Sequence, residues 1–256
     1  MKGFKVMTFI AFTTLTLCAQ DQFNDLVKVY NQNAQKDKPA ALEAIEKAAA
    51  LPELSDVNKC EAALMKLKLL YGMPGKAKEC TETADALLAM PQATPDQKFS
   101  AYYLGGIKYG ELNRNDKYVA YENEAGKNAT NDAQKFAAFE FRIRAYQKVG
   151  ELEKARKIGE EAITYAKDKK LRSNELAIHY AAAWAYPKDE RENYLINAIS
   201  EEDSFNYLHG QLIARYLISD FYHHQPEKAK ALCLRVLKAP KIFFPDFQKK
   251  VDEMSK

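Results

Sequence analysis

The sequence predicts an all-α protein, a row of antiparallel helical hairpins set one after another along the chain. Three observations carry this. Alanine, leucine, lysine and glutamate are abundant and favour helix, while 10 glycines and 9 prolines in 256 residues are too few for the turns of a sandwich or barrel. No stretch alternates as a strand, whereas apolar residues recur at helical spacing. Small residues also return at a steady interval, which is the mark of an internal repeat.

The chain opens on Lys2 and Lys5, followed by an apolar run from Val6 to Leu17. Such a run is too short to span a bilayer comfortably and reads as a secretion signal. Leu17-Cys18-Ala19 offers cleavage after Ala19, giving a signal peptide over 1–19 and a repeat domain over 20–256. Cys18 also fits a lipidated cysteine, although Leu17 is larger than the residue such signals favour just before it. The expected location is therefore secreted or periplasmic, in the cell envelope, with a lipid anchor at Cys18 as the alternative. No later segment is apolar enough for a transmembrane span. Without Lys2 and Lys5, 36 of the 38 basic residues face 35 acidic ones, a net charge of +1. That balance argues against nucleic acid as a partner, which calls for a concentrated basic field.

Helix boundaries follow in order. Pro39, Pro74 and Pro226 stand where second helices of hairpins should begin, and Pro52, Pro91 and Pro240 follow helices that have ended. Thr94-Pro95-Asp96-Gln97 is a capping box with proline in the first turn. Asn131 with Gln134, and Asp189 with Glu192, offer similar starts. The pattern predicts about thirteen helices, the last starting near Pro245. Cys60, Cys80 and Cys233 remain after the signal, an odd number. Cys60 and Cys80 fall on adjacent antiparallel helices, but at a rise of ~1.5 Å per residue they are offset too far for a disulfide. All three read as small buried hydrophobes.

The best-formed hairpin runs from Phe136 to Lys167 and breaks at Gly150. Phe139 and Tyr146 punctuate its first helix; Ala155, Gly159 and Ala162 punctuate its second. This stretch resembles a tetratricopeptide repeat, with small residues where the paired helices cross and where the next repeat packs. The pair Ala155/Ala162 recurs as Ala41/Ala48 and Ala77/Ala84. Ala125, Ala198 and Ala229 each keep one of the two places, with Tyr118, Arg191 and Val236 in the other. The resemblance implies a right-handed superhelical solenoid of about six units. The units start near Gln22, Asn58, Phe99, Phe136, Arg172 and Gly210, spaced 36 to 41 residues apart. The unit at Phe99 adds Tyr102, Gly106 and Tyr109 at the family's aromatic, small and aromatic places. The unit at Arg172 diverges most, with His179 at a small place and a short Pro187-Lys188 turn.

Nothing in the sequence singles out catalytic chemistry, a cofactor or a metal. His223-His224 are neighbours on a helix end and do not share a face. Gly105-Gly106 lies inside a helical pattern with no strand before it, so it reads as a close helix contact and not as a phosphate loop. The acidic runs Glu160-Glu161 and Glu190 to Glu192 read as solvated helix faces. The expectation is a non-enzymatic scaffold or adaptor. The resemblance implies a protein or peptide partner in a concave groove lined by the first helices. Carried onto this chain, the groove residues are Tyr103, Ile107, Phe141, Arg144, Tyr180, Trp184, Arg215 and Tyr222, with Leu104, Glu140, Lys148, Ile218 and Phe221 beside them. Aromatics and arginine dominate binding hot spots. The family's clamp for C-terminal carboxylates needs a lysine and an asparagine where this chain has Tyr103 and Ile107, or Glu140 and Arg144, and is not expected. The alternative is a carbohydrate- or nutrient-binding protein, since aromatic faces also stack on sugars. Trp184 and Tyr180 are four apart, which in a continuous helix places them on one face.

Overall fold

The computed structural model describes residues 19–254. The stretch expected to be a secretion signal, with Cys18, lies outside the described residues, apart from Ala19. The described chain is all-α, thirteen helices packed as sequential hairpins. It divides into two compact units between Gln134 and Lys135, in the first turn of α7.

The first unit holds α1 (19–33), α2 (Lys38–Ala49), α3 (Asp56–Tyr71), α4 (Ala77–Leu88), α5 (Pro95–Glu111) and α6 (Asn115–Asn128). Each of α2 to α5 packs on the helix that follows, and α3 also touches α5. The second unit holds most of α7 (Asp132–Lys148), then α8 (Leu152–Asp168), α9 (Arg172–Ala182), α10 (Lys188–Ala198), α11 (Leu208–Phe221), α12 (Pro226–Val236) and α13 (Pro245–Met254). Here α8 packs on α9, α9 on α11, α11 on α12, and α12 on α13.

The local signals explain most boundaries. Thr94 Oγ1 accepts from the Gln97 amide at 3.3 Å and Gln97 Oε1 accepts from the Thr94 amide at 2.9 Å, the reciprocal pair of a capping box. Asn131 Oδ1 accepts from the Gln134 amide at 3.0 Å. Pro39 and Pro226 stand in the first turns of α2 and α12. Two expectations need correction. Pro74 lies in the turn before α4, which starts three residues later at Ala77. Asp189 lies inside α10, which begins at Lys188 behind Pro187 with no side-chain cap, because Pro187 itself fixes the entry.

Three turns close in the same way. The amides of Arg114, Glu151 and Leu171 reach back to the carbonyls of Tyr109, Tyr146 and Ala166, each at 2.9 Å. The residue before each donor is left-handed: Asn113, Gly150 at φ 77° and Lys170. This is the Schellman closure of a helix end.

The small residues do what the repeat requires. Ala41, Ala48, Ala84, Ala125, Ala155, Ala162, Ala198 and Ala229 are buried, as is Val236. Ala77, the first residue of α4, is half-buried. Cys60, Cys80 and Cys233 are buried in the core, and burial pushes the Cys80 thiol up to about 11. Each unit carries its own apolar clusters, one around Phe23 and Ile45 and one around Leu67 and Leu87 in the first unit. The second unit has one around Phe136 and Ala162 and a larger one around Leu176, Phe205 and Leu217.

Candidate functional site

In the first unit, α5 meets its neighbours through glycine. A Cβ on Gly105 would stand 2.8 Å from Ala84 Cβ, and one on Gly106 would stand 2.5 Å from Glu122 Oε1. Backbone packs where other units place side chains. Beside this contact, the Tyr109 hydroxyl donates to Asp85 Oδ2 at 2.7 Å, and Tyr121 donates to the other carboxylate oxygen. Burial, together with the Asp85 carboxylate, pushes Tyr109 up to about 12. Glu122 is fully buried and neither of its oxygens has a hydrogen-bond partner. Burial alone pushes its carboxyl from 4.5 up to about 9, so it is a neutral acid at pH 7. Tyr103 and Ile107 are half-buried on α5, and Tyr103 stacks on Phe99 with ring centroids 5.6 Å apart. Leu104 packs against the core.

In the second unit, the surface around Trp184 differs. The helix expected to carry both Tyr180 and Trp184 stops at Ala182, and Trp184 sits in a 3-10 turn over Ala183–Ala185. Pro187 has no N–H to extend the helix, so Ala183 O accepts from the Tyr186 amide at 3.1 Å in a 3-10 bond, and the carbonyls of this segment take further donors from side chains. Arginines supply the donors. Arg156 on α8 donates to Ala185 O at 2.9 Å. Arg191 on α10 donates to Ala183 O at 3.1 Å and to Tyr186 O at 2.9 Å. The Arg191 guanidinium also lies 4.5 Å over the Trp184 ring, and that of Arg156 lies 4.7 Å over Tyr186. Trp184 contacts Tyr180 and Tyr216 edge to face, at 6.3 and 5.3 Å. Despite these contacts Trp184 remains 41% exposed.

The other groove residues of this unit form local pairs. Arg144 lies 5.6 Å over the Phe141 ring and bonds Glu140 at 2.6 Å. Arg215 is exposed and lies 5.5 Å over Phe244. Tyr222 is exposed at the C-terminus of α11, its ring 4.8 Å from that of His223. Ile218 and Phe221 are buried in the core, which removes them from the expected groove. Among polar neighbours, Lys188 bonds Asp220 at 3.0 Å. Hydrogen bonding to Asp220 raises the Glu192 carboxyl; Asp220 itself, although partly desolvated, is held low by Lys188 and Glu192. His179, half-buried beside Glu175 at 3.7 Å, is pushed down to about 4 by burial.

Sequence reading missed Arg156, Arg191, Tyr216 and Glu122. The alternation of charge on α8 and α10 gives no hint that two of their arginines turn inward to backbone carbonyls. Glu122 lies 23 residues after its unit start, where other units have the buried Ile45, Leu195 and Cys233. That periodicity was its one available signal. Among the described residues no helix is long and apolar enough to cross a membrane, and no group of three or more metal-ligating side chains is assembled.

No family model and no curated protein matches the chain. A solved structure does: nearly identical TPR-like repeats of a Podosopora anserina protein named as a putative kinesin light chain. It is 16% identical, with a TM-score of 0.57 over 72% of this chain and 94% of that one. At that identity the likeness speaks for architecture alone, and it agrees with the sequential hairpins of the described residues. The chain has a TPR-like helical repeat fold.

Proposed function

We propose that the protein is a non-enzymatic scaffold of the cell envelope or the secreted fraction, which holds a protein partner on the first helices of its hairpins. The observation that carries this is Trp184, an exposed indole whose backbone and ring are both fixed. Two arginines tether its 3-10 segment, and Arg191 and Tyr216 brace the ring. An aromatic held in place before binding loses little freedom on contact, which is what a hot spot needs. The proposed contacts are Tyr103 and Ile107 in the first unit, with Phe141, Arg144, Tyr180, Trp184, Arg215 and Tyr222 in the second. TPR-like arrays ordinarily bind polypeptide, which favours protein over sugar for this surface. The export signal read in the first 19 residues supports the location.

Site-specific photocross-linking tests the reading. A benzophenone side chain placed at residue 184 in the native organism should give one dominant protein adduct. The same probe at Val57, 63% exposed in the first unit, should not give that adduct. Equal labelling from both positions, or no protein adduct at 184, would contradict the proposal.

A further inference from the structure

The second unit carries a hollow that the binding surface around Trp184 does not use. It lies where α10, α11 and α12 meet and has a volume of about 350 Å³. Its floor is apolar: Ile199, Leu217 and Phe221 are nearly or fully buried, and Ile196 and Leu232 complete the wall. Two cations stand among the lining residues, Lys228 and Arg235, and no acid does.

The state of those two cations matters. The Lys228 ammonium lies 5.7 Å over the Phe221 ring; the Glu192 carboxylate feels its charge without coming within ion-pair distance. Arg235 lies 4.8 Å over the Phe205 ring. One of its terminal nitrogens donates to Ile199 O and Ser200 O, both at 2.8 Å, which ties down the two residues that follow α10. Neither bond neutralises the guanidinium. Of the acids that follow those carbonyls, Glu201 stands 3.8 Å from Arg172, and Glu202 and Asp203 line a separate hollow beyond Arg235, where Glu202 pairs with Lys238 at 3.4 Å. An apolar recess with positive charge at its mouth suits a ligand with one anionic end and one aliphatic end. The carboxylate exchanges water for Lys228 and Arg235, and the chain covers Leu217, Phe221 and Leu232. A volume near the lower end of the roughly 300–1,000 Å³ of ligand sites holds one short chain and excludes a folded peptide.

We propose that this hollow is a binding site for an aliphatic monocarboxylate, a single acyl chain of medium length. It is independent of the protein-binding reading, since none of its residues belongs to that surface.

The test is calorimetric titration of the mature protein with sodium decanoate below its micellar concentration. Decanol and decyltrimethylammonium serve as neutral and cationic counterparts. Decanoate should bind one to one, decanol more weakly, and the cation not at all. Ala231, exposed on α12 at the rim, gives the blocking variant: Ala231→Trp should abolish binding. Lys228→Glu, a surface change, should weaken decanoate by about tenfold or more, one decade being ~1.4 kcal/mol. Trp184→Ala should leave decanoate binding unchanged, so this site and the partner surface stand or fall separately. Absence of decanoate binding would overturn the proposal. So would equal binding of the cation, or Ala231→Trp and Lys228→Glu variants that bind as the wild type does.

Discussion

The hairpin α5–α6 and the hairpin α9–α10 solve the same problem in opposite ways. In the first, α5 runs for 17 residues and its glycines let helices touch backbone to side chain, with Ala84, Tyr121 and Glu122 filling the gap. In the second, α9 is 11 residues long, stops at Ala182 and hands over to a 3-10 turn before Pro187. Arg156 and Arg191 then bond carbonyls of the interrupted segment. The close-packed hairpin buries Phe99, Tyr109, Tyr118 and Tyr121; the interrupted one exposes Trp184. A repeat can therefore give up regular helix where it presents a surface, provided long side chains satisfy the backbone that is released.

The largest expected effect breaks the close-packed hairpin. Gly105→Leu drives a branched side chain into Ala84, where even a Cβ is too close. Chemical denaturation should show a loss of about 3 kcal/mol or more. An unchanged midpoint would mean that α4 and α5 do not approach through glycine.

Ala162→Leu overpacks the fully buried face of α8 and should cost about 1–3 kcal/mol. A neutral result would place Ala162 away from the helix contact and break the repeat register with it. In the interrupted hairpin, Arg191→Ala removes two hydrogen bonds to backbone carbonyls and should cost about 1–2 kcal/mol. It should also increase the mobility of the Trp184 ring, read as a fall in fluorescence anisotropy. Loss of stability without loss of anisotropy would show that Arg191 does not brace the indole.

Glu122 sharpens the comparison through pH. Its carboxyl titrates at about 9 in the fold against 4.5 when free, so the folded state holds a proton that the unfolded state releases. Stability from this group is complete below the unfolded pKa and falls as pH rises towards 9. His179 works in the opposite sense. Its folded pKa of about 4 lies below 6.5, so stability is lost as pH falls through that window. Glu122→Gln should remove the fall in stability that sets in above pH 4.5 and raise stability at pH 8 by about 1 kcal/mol or more, leaving stability below pH 4 unchanged. An alkaline limb that persists in Glu122→Gln would assign it to another group.

What was legible in the sequence was local. Alanine spacing, the Thr94 box and the turn at Gly150 each depend on a few neighbouring residues, and each has the role that the pattern gave it. What was not legible depends on residues far apart in sequence. The bonds from Arg156 to Ala185 and from Arg191 to Ala183 exist only once α8, α9 and α10 are assembled. The register carried over from the repeat resemblance puts Ile218 and Phe221 in the groove; α11 is apolar over most of Leu212 to Phe221, and only Arg215 and Ser219, four apart, mark its exposed face. Sequence alone puts Trp184 on a helix because Tyr180 to Tyr186 has helical composition; the interruption comes from Pro187, just beyond that stretch.

The smallest expected effect on the fold is the most direct test of function. Trp184 is 41% exposed and touches Arg191, Tyr180 and Tyr216 at its edges, so Trp184→Ala should cost about 1 kcal/mol without unfolding the chain. It is the only tryptophan, and its emission therefore reports on one place. In the free protein iodide should quench that emission. Addition of the partner captured at residue 184 should protect it, and Trp184→Ala should weaken that complex by about 2 kcal/mol or more. A ring that iodide cannot reach in the free protein, or a complex that binds Trp184→Ala as tightly as wild type, would contradict the assignment of this surface as the binding site.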